Sequence, residues 1–266
     1  MPGSQRPLKR FGQNFLTAPH IQKKIVNALQ IESRDVVLEI GAGKGALTQF
    51  IVRAQPARFL AVELDPRWAE LLQQQFGRRM ELIRDDFLNI DVTQIAPHLK
   101  VIGNIPYHIT SPIIFKLIDS YTHLQRAVLM VQKEVAQRLV AGPGSKAYGI
   151  LSVSLQSYGQ VRYLFEVKRG NFFPRPEVDS AVVQIDFFPA LTEVQNETLY
   201  RKIIRHCFNY RRKMLRNSLS RIFDKTIVYS LESIDLNQRP EALPVKAFKN
   251  LANELNRKIK TGMPDD

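Results

Sequence analysis

Cysteine and tryptophan each occur once in the 266 residues, at Cys207 and Trp68. A single cysteine excludes an internal disulfide framework and leaves too little sulfur for a thiolate metal site, so the chain suits reducing conditions. Cys207 is expected to be a small buried hydrophobe. The five histidines share no metal-ligand spacing, and no metal is assigned. Long apolar runs are missing too: nothing approaches the roughly 18 to 20 residues that span a bilayer, and residues 1–13 are charged without the apolar centre of a signal peptide. A cytosolic chain with no membrane partner is expected. Acidic side chains are absent altogether from residues 1–24.

What is present is a strongly basic chain of ordinary hydrophobic content, long enough for one large domain or one domain with a smaller companion. The net charge of +13 is unevenly placed. Residues 1–24 carry five Lys or Arg, residues 191–266 fifteen against nine acids, and residues 25–190 eighteen against sixteen. The densest part, residues 201–225, holds nine bases opposed by Asp224 alone, with Arg211, Arg212, Lys213 and Arg216 as candidate phosphate contacts. Such a stripe is the footprint of a polyanion, because each Lys or Arg that neutralises a phosphate releases a counterion. A merely solubilising face is the alternative. The interleaved Phe208, Tyr210 and Phe223 are expected at core positions of helices.

From residue 36 to about 187, short apolar runs alternate with helical patterns. Residues 36–40, 59–64, 80–83, 101–105, 127–131, 163–167 and 181–187 read as strands; residues 46–52, 68–76, 113–118 and 134–140 carry helical spacing, the second opened by Asp65-Pro66. This alternation predicts an α/β fold with a mainly parallel sheet covered on both faces. The last two strands, joined by the Gly- and Pro-containing stretch 168–180, are expected to be antiparallel at one edge. After Pro189 the spacing turns helical, with Tyr200, Ile203, Ile204, Cys207 and Phe208, then Val245, Phe248, Leu251, Leu255 and Ile259. The domains are therefore drawn at 1–189 and 190–266, with a frayed tail from Thr261 to Asp266.

The first strand, Val37-Leu38-Glu39-Ile40, runs into Gly41-Ala42-Gly43-Lys44-Gly45, a glycine loop that lets backbone approach a ligand at the carboxyl end of the sheet. Gly41, Gly43 and Ala46 also satisfy a dinucleotide pattern, so a nicotinamide or flavin enzyme is a rival here. The next strand ends in Glu63, placed to accept hydrogen bonds from two ribose hydroxyls, which both cofactor types possess. The third ends in Asp85-Asp86, and Asp86, beside Phe87, is preferred as acceptor for an adenine amine. Each acid alone is as readily a turn or helix cap. The three acids Glu63, Asp85 and Asp86, at two successive strand ends, together point to a site rather than to chance.

Asn104-Ile105-Pro106-Tyr107 separates methyl from hydride transfer. An adenine amine is a poor nucleophile because its lone pair is delocalised into the ring, so an enzyme must favour pyramidal nitrogen. The Asn104 side-chain oxygen and the Ile105 carbonyl can each accept one N–H, aiming the lone pair at a sulfonium methyl, while Pro106 fixes the turn and Tyr107 stacks on the base. The bland alternative is an Asx-type turn with Tyr107 as packing. His108, next in sequence, is expected to be structural or close to the polyanion rather than a general base, since the amine loses its proton readily once methylated.

With Arg10-Phe11-Gly12-Gln13-Asn14-Phe15-Leu16 and Phe172-Phe173-Pro174-Arg175-Pro176-Glu177-Val178-Asp179-Ser180 added, nearly the whole chain resembles the small-subunit ribosomal RNA adenine dimethyltransferase family. Ile105 stands where many members have Leu, which leaves the carbonyl unaltered. The resemblance implies a Rossmann-like sheet followed by a small all-α domain, and S-adenosylmethionine held by Asn14, Leu16, Gly41, Glu63, Asp86 and Asn104; Gly43 of the glycine loop is expected to join them. It implies two methyl groups on each of two adjacent adenosines near the 3′ end of 16S rRNA within the 30S subunit. It also implies that Phe172 closes over the target base opposite Tyr107. A monomer is expected. The basic N-terminus fits a flap over the cofactor, anchored by Phe11 and Phe15. Two rivals stay open: a 23S rRNA dimethyltransferase of the macrolide-resistance type, and an assembly factor in which catalysis is secondary.

Overall fold

The computed structural model describes residues 12–261, so Arg10, Phe11 and the rest of the expected flap before Gly12, with the last five residues, lie outside the described residues. The chain forms two compact units. One comprises the residues up to Gln137 together with Gly159–Pro189; the other comprises Arg138–Tyr158 together with the residues from Ala190 onward. The change at Pro189 is thus one junction, but residues 138–158 lie in the helical unit and not with the sheet. Their side chains explain it. Tyr148 and Val153 are fully buried in one cluster with Tyr200, Ile203, Phe248 and Leu251, and the Tyr148 hydroxyl donates to the Leu243 carbonyl at 2.7 Å.

In the first unit a short strand β1 (Phe15–Leu16) precedes the main sheet. The sheet is built from β2 (Val36–Ile40), β3 (Arg58–Val62), β4 (Glu81–Ile83), β5 (Leu99–Asn104), β6 (Leu124–Gln132) and β7 (Gly159–Val167), and, after the two-residue β8 (Phe172–Phe173), from β9 (Ser180–Phe187). Its order is β4-β3-β2-β5-β6-β9-β7. The first five strands pair in parallel, whereas β9 runs antiparallel to both neighbours. The antiparallel pairing falls at the expected end of the sheet, with β9 one strand in from the rim. Val37, Phe59, Ala61, Ile102 and Val128 pack into one cluster with Ile25 and Leu29 of α1 (Pro19–Leu29), Ile51 of α2 (Thr48–Ala54) and Leu72 of α3 (Pro66–Phe76). The alternate residues Leu38, Leu60, Val62 and Val101 are equally buried, so both faces are covered, as a parallel sheet requires. Helix α4 (Thr110–Asp119) follows β5.

Helix α5 (Lys133–Val140) crosses into the second unit, which contains α6 (Ile150–Tyr158), α7 (Glu197–Asn209), α8 (Leu215–Leu219), α9 (Lys225–Tyr229) and α10 (Val245–Thr261). Asn196 caps α7 by accepting the Leu199 N–H at 3.0 Å, and the helix buries Tyr200, Ile203, Ile204 and Cys207 as their spacing predicts. Burial pushes the Cys207 thiol up to about 12, which leaves it a packing group.

Parallel pairing positions the site. Ile40 lies opposite Val62 on one side and Gly103 on the other, so the carboxyl ends of β2, β3 and β5 meet along one edge of the sheet. The glycine loop, Glu63 and Asn104 emerge there side by side.

Candidate active site

A cavity of about 310 Å³ opens at that edge. Residues 12–15, the Ile40-Gly41 turn with Gly43, Val62–Leu64, Asp85–Phe87 and residues 104–109 line it. Gly41 and Gly43 have φ of +67° and +54°, the left-handed region in which a side chain is strained. A Cβ on Gly43 would stand 3.0 Å from the Phe15 ring; one on Gly41 would meet nothing within 4 Å. The backbone at Gly41 therefore borders open space.

Glu63 is 7% exposed, and its two oxygens each accept one backbone N–H, from Gly43 at 2.7 Å and Asp65 at 2.8 Å. Burial raises its pKa, against the opposing effect of these N–H donors. Each oxygen keeps a lone pair for a further donor. Asp86 caps the 3-10 turn Phe87–Asn89 by accepting the Leu88 N–H at 2.9 Å, so the capping role weighed from sequence is real, while the residue also borders the cavity. Phe87 is buried and lines the same wall.

Asn104 is oriented by its own amide: Nδ2 donates to the Asn14 carbonyl at 2.8 Å, leaving Oδ1 as the unused acceptor. The Ile105 side chain is buried and its N–H donates to the Met130 carbonyl at 3.0 Å, which fixes the peptide that carries the Ile105 carbonyl. Pro106, with φ −57°, opens a 3-10 turn over Tyr107–Ile109. The Tyr107 hydroxyl lies 2.6 Å from Ser180 Oγ at the start of β9, and burial raises the phenol pKa. His108 is exposed, lines the cavity and packs against Gly12, where an added Cβ would stand 2.8 Å from its Nδ1.

Of the expected cofactor residues, Asn14, Gly41, Gly43, Glu63, Asp86 and Asn104 come together in this cavity. Leu16 does not line it: the side chain is buried in the core and its carbonyl accepts Gln22 Nε2 at 2.7 Å. Phe172, expected over the target base, does not line the cavity either. It is 5% exposed, pairs with Leu16 across the β1–β8 ribbon and belongs to the core cluster, because strand alternation turns Phe172 inward and Phe173 outward. Three contributors carried no expected role. Gln13 lines the cavity and donates to Asp65 at 2.9 Å; Asp65 also pairs with Arg67 at 2.5 Å, which holds its carboxyl below the usual range. Ser180 positions the Tyr107 phenol, and Lys44 lies over the rings of Phe15 and Trp68, 4.8 and 5.0 Å from their centroids.

The basic stripe divides in the second unit. Arg211 is engaged by Glu241 at 2.6 Å and by the Lys146 carbonyl at 2.9 Å, which makes it a structural tie rather than a free cation. Arg212 and Lys213 are exposed, and Arg216 is half-buried on α8.

Residues 5–257 match the model of the family described as ribosomal RNA adenine dimethylase. A ribosomal RNA small subunit methyltransferase A from Chlorobium phaeobacteroides (strain BS1) is 48% identical over 249 residues, covering 93% of each chain. The protein of the same description from Lawsonia intracellularis is 38% identical over 94% of each. Among solved structures, a dimethyladenosine transferase from Plasmodium falciparum superposes with a TM-score of 0.81 at 28% identity, over 92% of this chain and 98% of that one. The 23S rRNA methyltransferase ErmE, at 23% identity and a TM-score of 0.71 over 91% of this chain and all of its own, shares the fold. The strand-end cavity, with its glycine loop and Asn104-Ile105-Pro106-Tyr107 turn, lies wholly inside the matched residues, and the chain belongs to the ribosomal RNA adenine dimethylase family.

Proposed function

We propose that this enzyme transfers methyl groups from S-adenosylmethionine to the exocyclic amine of adenosine in small-subunit ribosomal RNA, dimethylating two adjacent adenosines near the 3′ end of 16S rRNA in the 30S particle. The observation that carries the reading is the convergence, in one cavity, of the Asn104 amide and the Ile105 peptide with the Glu63 carboxylate and the glycine loop. Relatives named for small-subunit methylation and for dimethyladenosine support the choice of RNA and base.

The residues present fit the methyl donor. Open space at Gly41 admits a ligand against the backbone, Glu63 retains acceptor capacity for the two ribose hydroxyls, and Asp86 with Phe87 offers an acceptor beside an apolar wall for an adenine ring. When bound, S-adenosylmethionine supplies an electrophilic methyl on a sulfonium. Asn104 Oδ1 and the Ile105 carbonyl each accept one N–H of the target amine, drawing the nitrogen toward pyramidal geometry with its lone pair aimed at that methyl. Tyr107, held by Ser180, presents its ring to the base. A carbon–nitrogen bond forms as the carbon–sulfur bond breaks, and the amine proton passes to solvent. In the second round one N–H remains for one of the two acceptors. The exposed cations Arg212 and Lys213 contribute phosphate contacts. The protein acts as a monomer in the cytoplasm; among the described residues no helix is long and apolar enough to cross a membrane.

Purified unmethylated 30S particles and 23S rRNA, offered separately with labelled S-adenosylmethionine, test the substrate. Label is expected on 30S particles; label on 23S rRNA alone would transfer the assignment to the macrolide-resistance type.

A further inference from the structure

The β1–β8 ribbon that buries Phe172 exposes its neighbour. Phe173 is 61% exposed and lies directly opposite Phe15 in the antiparallel register. Residues opposite one another in such a pair project from the same face, with Cβ atoms about 4.5–5.5 Å apart. Leu16 and Phe172 take the core face; Phe15 and Phe173 take the other, and Phe15 lines the cavity. Phe173 therefore stands beside the cavity wall with its ring in solvent. The ribbon does not need that ring for stability, since the inward pair already does the burying.

The loop that carries Phe173 is pinned at its stem. Asp179 accepts the Arg169 N–H at 2.9 Å and Lys168 Nζ at 3.1 Å, Lys168 also pairs with Glu166, and Arg169 Nη1 donates to the Glu177 carbonyl at 3.0 Å. The next residue, Ser180, holds the Tyr107 hydroxyl. These bonds occupy the loop's charged groups except the exposed Arg175, which forms no ion pair among the described residues, and Glu177, whose carboxylate likewise forms none. A loop pinned at its stem thus presents a phenyl ring and, two residues on, a guanidinium, and its end at Ser180 meets Tyr107.

We infer that Phe173 and Arg175 form a platform for a nucleotide flanking the target adenosine, the base stacking on Phe173 and its phosphate paired with Arg175. The inference rests on the RNA reading above. An unpaired base has a π-face that an exposed aromatic can take whatever the base's identity, and a guanidinium matches a phosphate in geometry and charge. A flanking nucleotide held at the cavity mouth keeps the adjoining adenosine unstacked, which a pocket that accepts only an extruded base requires.

The test uses the full chain with Phe173→Ala, Phe173→Trp and Arg175→Ala. Kinetics are measured on unmethylated small-subunit particles and on their deproteinised RNA, beside cofactor affinity and Tm. Phe173→Ala should raise KM for both RNA substrates by about 5- to 150-fold, the range for losing one stacked base, with kcat, cofactor affinity and Tm unchanged. Phe173→Trp should restore KM, and Arg175→Ala should reduce the salt slope of RNA binding by about 0.7, one phosphate's share on a single strand. An unchanged KM in Phe173→Ala overturns the platform. So does a KM raised for particles but not for deproteinised RNA, which would identify a ribosomal protein as the occupant. Combining Phe173→Trp with Trp68→Phe moves the only tryptophan to the platform, where unpaired oligoribonucleotide should quench its fluorescence. That readout separates the two claims: quenching without methyl transfer by the wild type keeps the platform and sinks the proposed reaction, while transfer without quenching does the reverse.

Discussion

Glu39 lies on β2 two residues before the glycine loop, buried on every side, with Thr48 Oγ1 donating to its Oε2 at 2.6 Å. Burial is the largest influence on its carboxyl; the Thr48 hydrogen bond opposes it and the neighbouring Glu63 charge adds to it, and the pKa rises from 4.5 to about 8. The folded chain therefore keeps a proton that the unfolded chain has released between those two values. Unfolding releases it, so stability falls as pH rises through this window, by about 1.4 kcal/mol per unit, and levels off above pH 8. The whole contribution is at most about 5 kcal/mol, on the order of the total stability of a typical domain. Glu39→Gln keeps the shape and an acceptor for Thr48 but cannot titrate. Urea unfolding of wild type and variant from pH 5 to 9.5, followed by Trp68 fluorescence, isolates the group, because Trp68 is the only tryptophan and lies buried in the sheet-bearing unit. The stability difference, wild type minus variant, should fall steadily from pH 5 to 8, with the variant the more stable at pH 9. A difference that is flat or rises with pH would refute the idea that Glu39 is folded in its neutral form.

Glu63→Ala removes the partner of two backbone N–H groups as well as the ribose acceptor, so S-adenosylmethionine affinity measured by calorimetry should drop at least tenfold; equal affinity would show that the ribose is misplaced. Phe172→Ala should cost about 3–5 kcal/mol of stability in urea unfolding, as a buried core phenylalanine does, and a loss under 1 kcal/mol would show that its ring is not part of the core. Charge reversal at Arg212 and Lys213 should weaken particle binding and flatten its salt dependence, whereas Arg211→Ala should chiefly lower Tm, because Arg211 is tied to Glu241 and Lys146. Equal salt slopes for wild type and the reversal would remove the phosphate role.

The sheet was legible because buried parallel strands are short apolar runs bounded by glycine, proline or acids, and the same boundaries mark the strand ends where Glu63, Asp86 and Asn104 project. What escaped sequence reading depends on partners distant along the chain. Phe172 and Phe173 are indistinguishable as adjacent aromatics until pairing with Phe15-Leu16 turns one inward. Ser180 reaches Tyr107 across 73 residues, and Arg211 meets Glu241 across 30, so neither bond has a local signal. Residues 138–158 resemble the preceding strand–helix pattern in composition, and only the fit of Tyr148 among the later helices assigns them to the second unit.

If Asn104 and Ile105 hold the target amine, methylation of adenosine in small-subunit RNA depends on the Asn104 side chain. Mass-spectrometric mapping of nucleotides, after unmethylated 30S particles react with wild type and with Asn104→Ala at saturating S-adenosylmethionine, tests it most directly. Wild type should give dimethyladenosine at two adjacent positions near the 3′ end, and the variant should lose at least a hundredfold in rate at unchanged particle binding. Dimethyladenosine formed at the wild-type rate by Asn104→Ala, or modification at any other base, would contradict it.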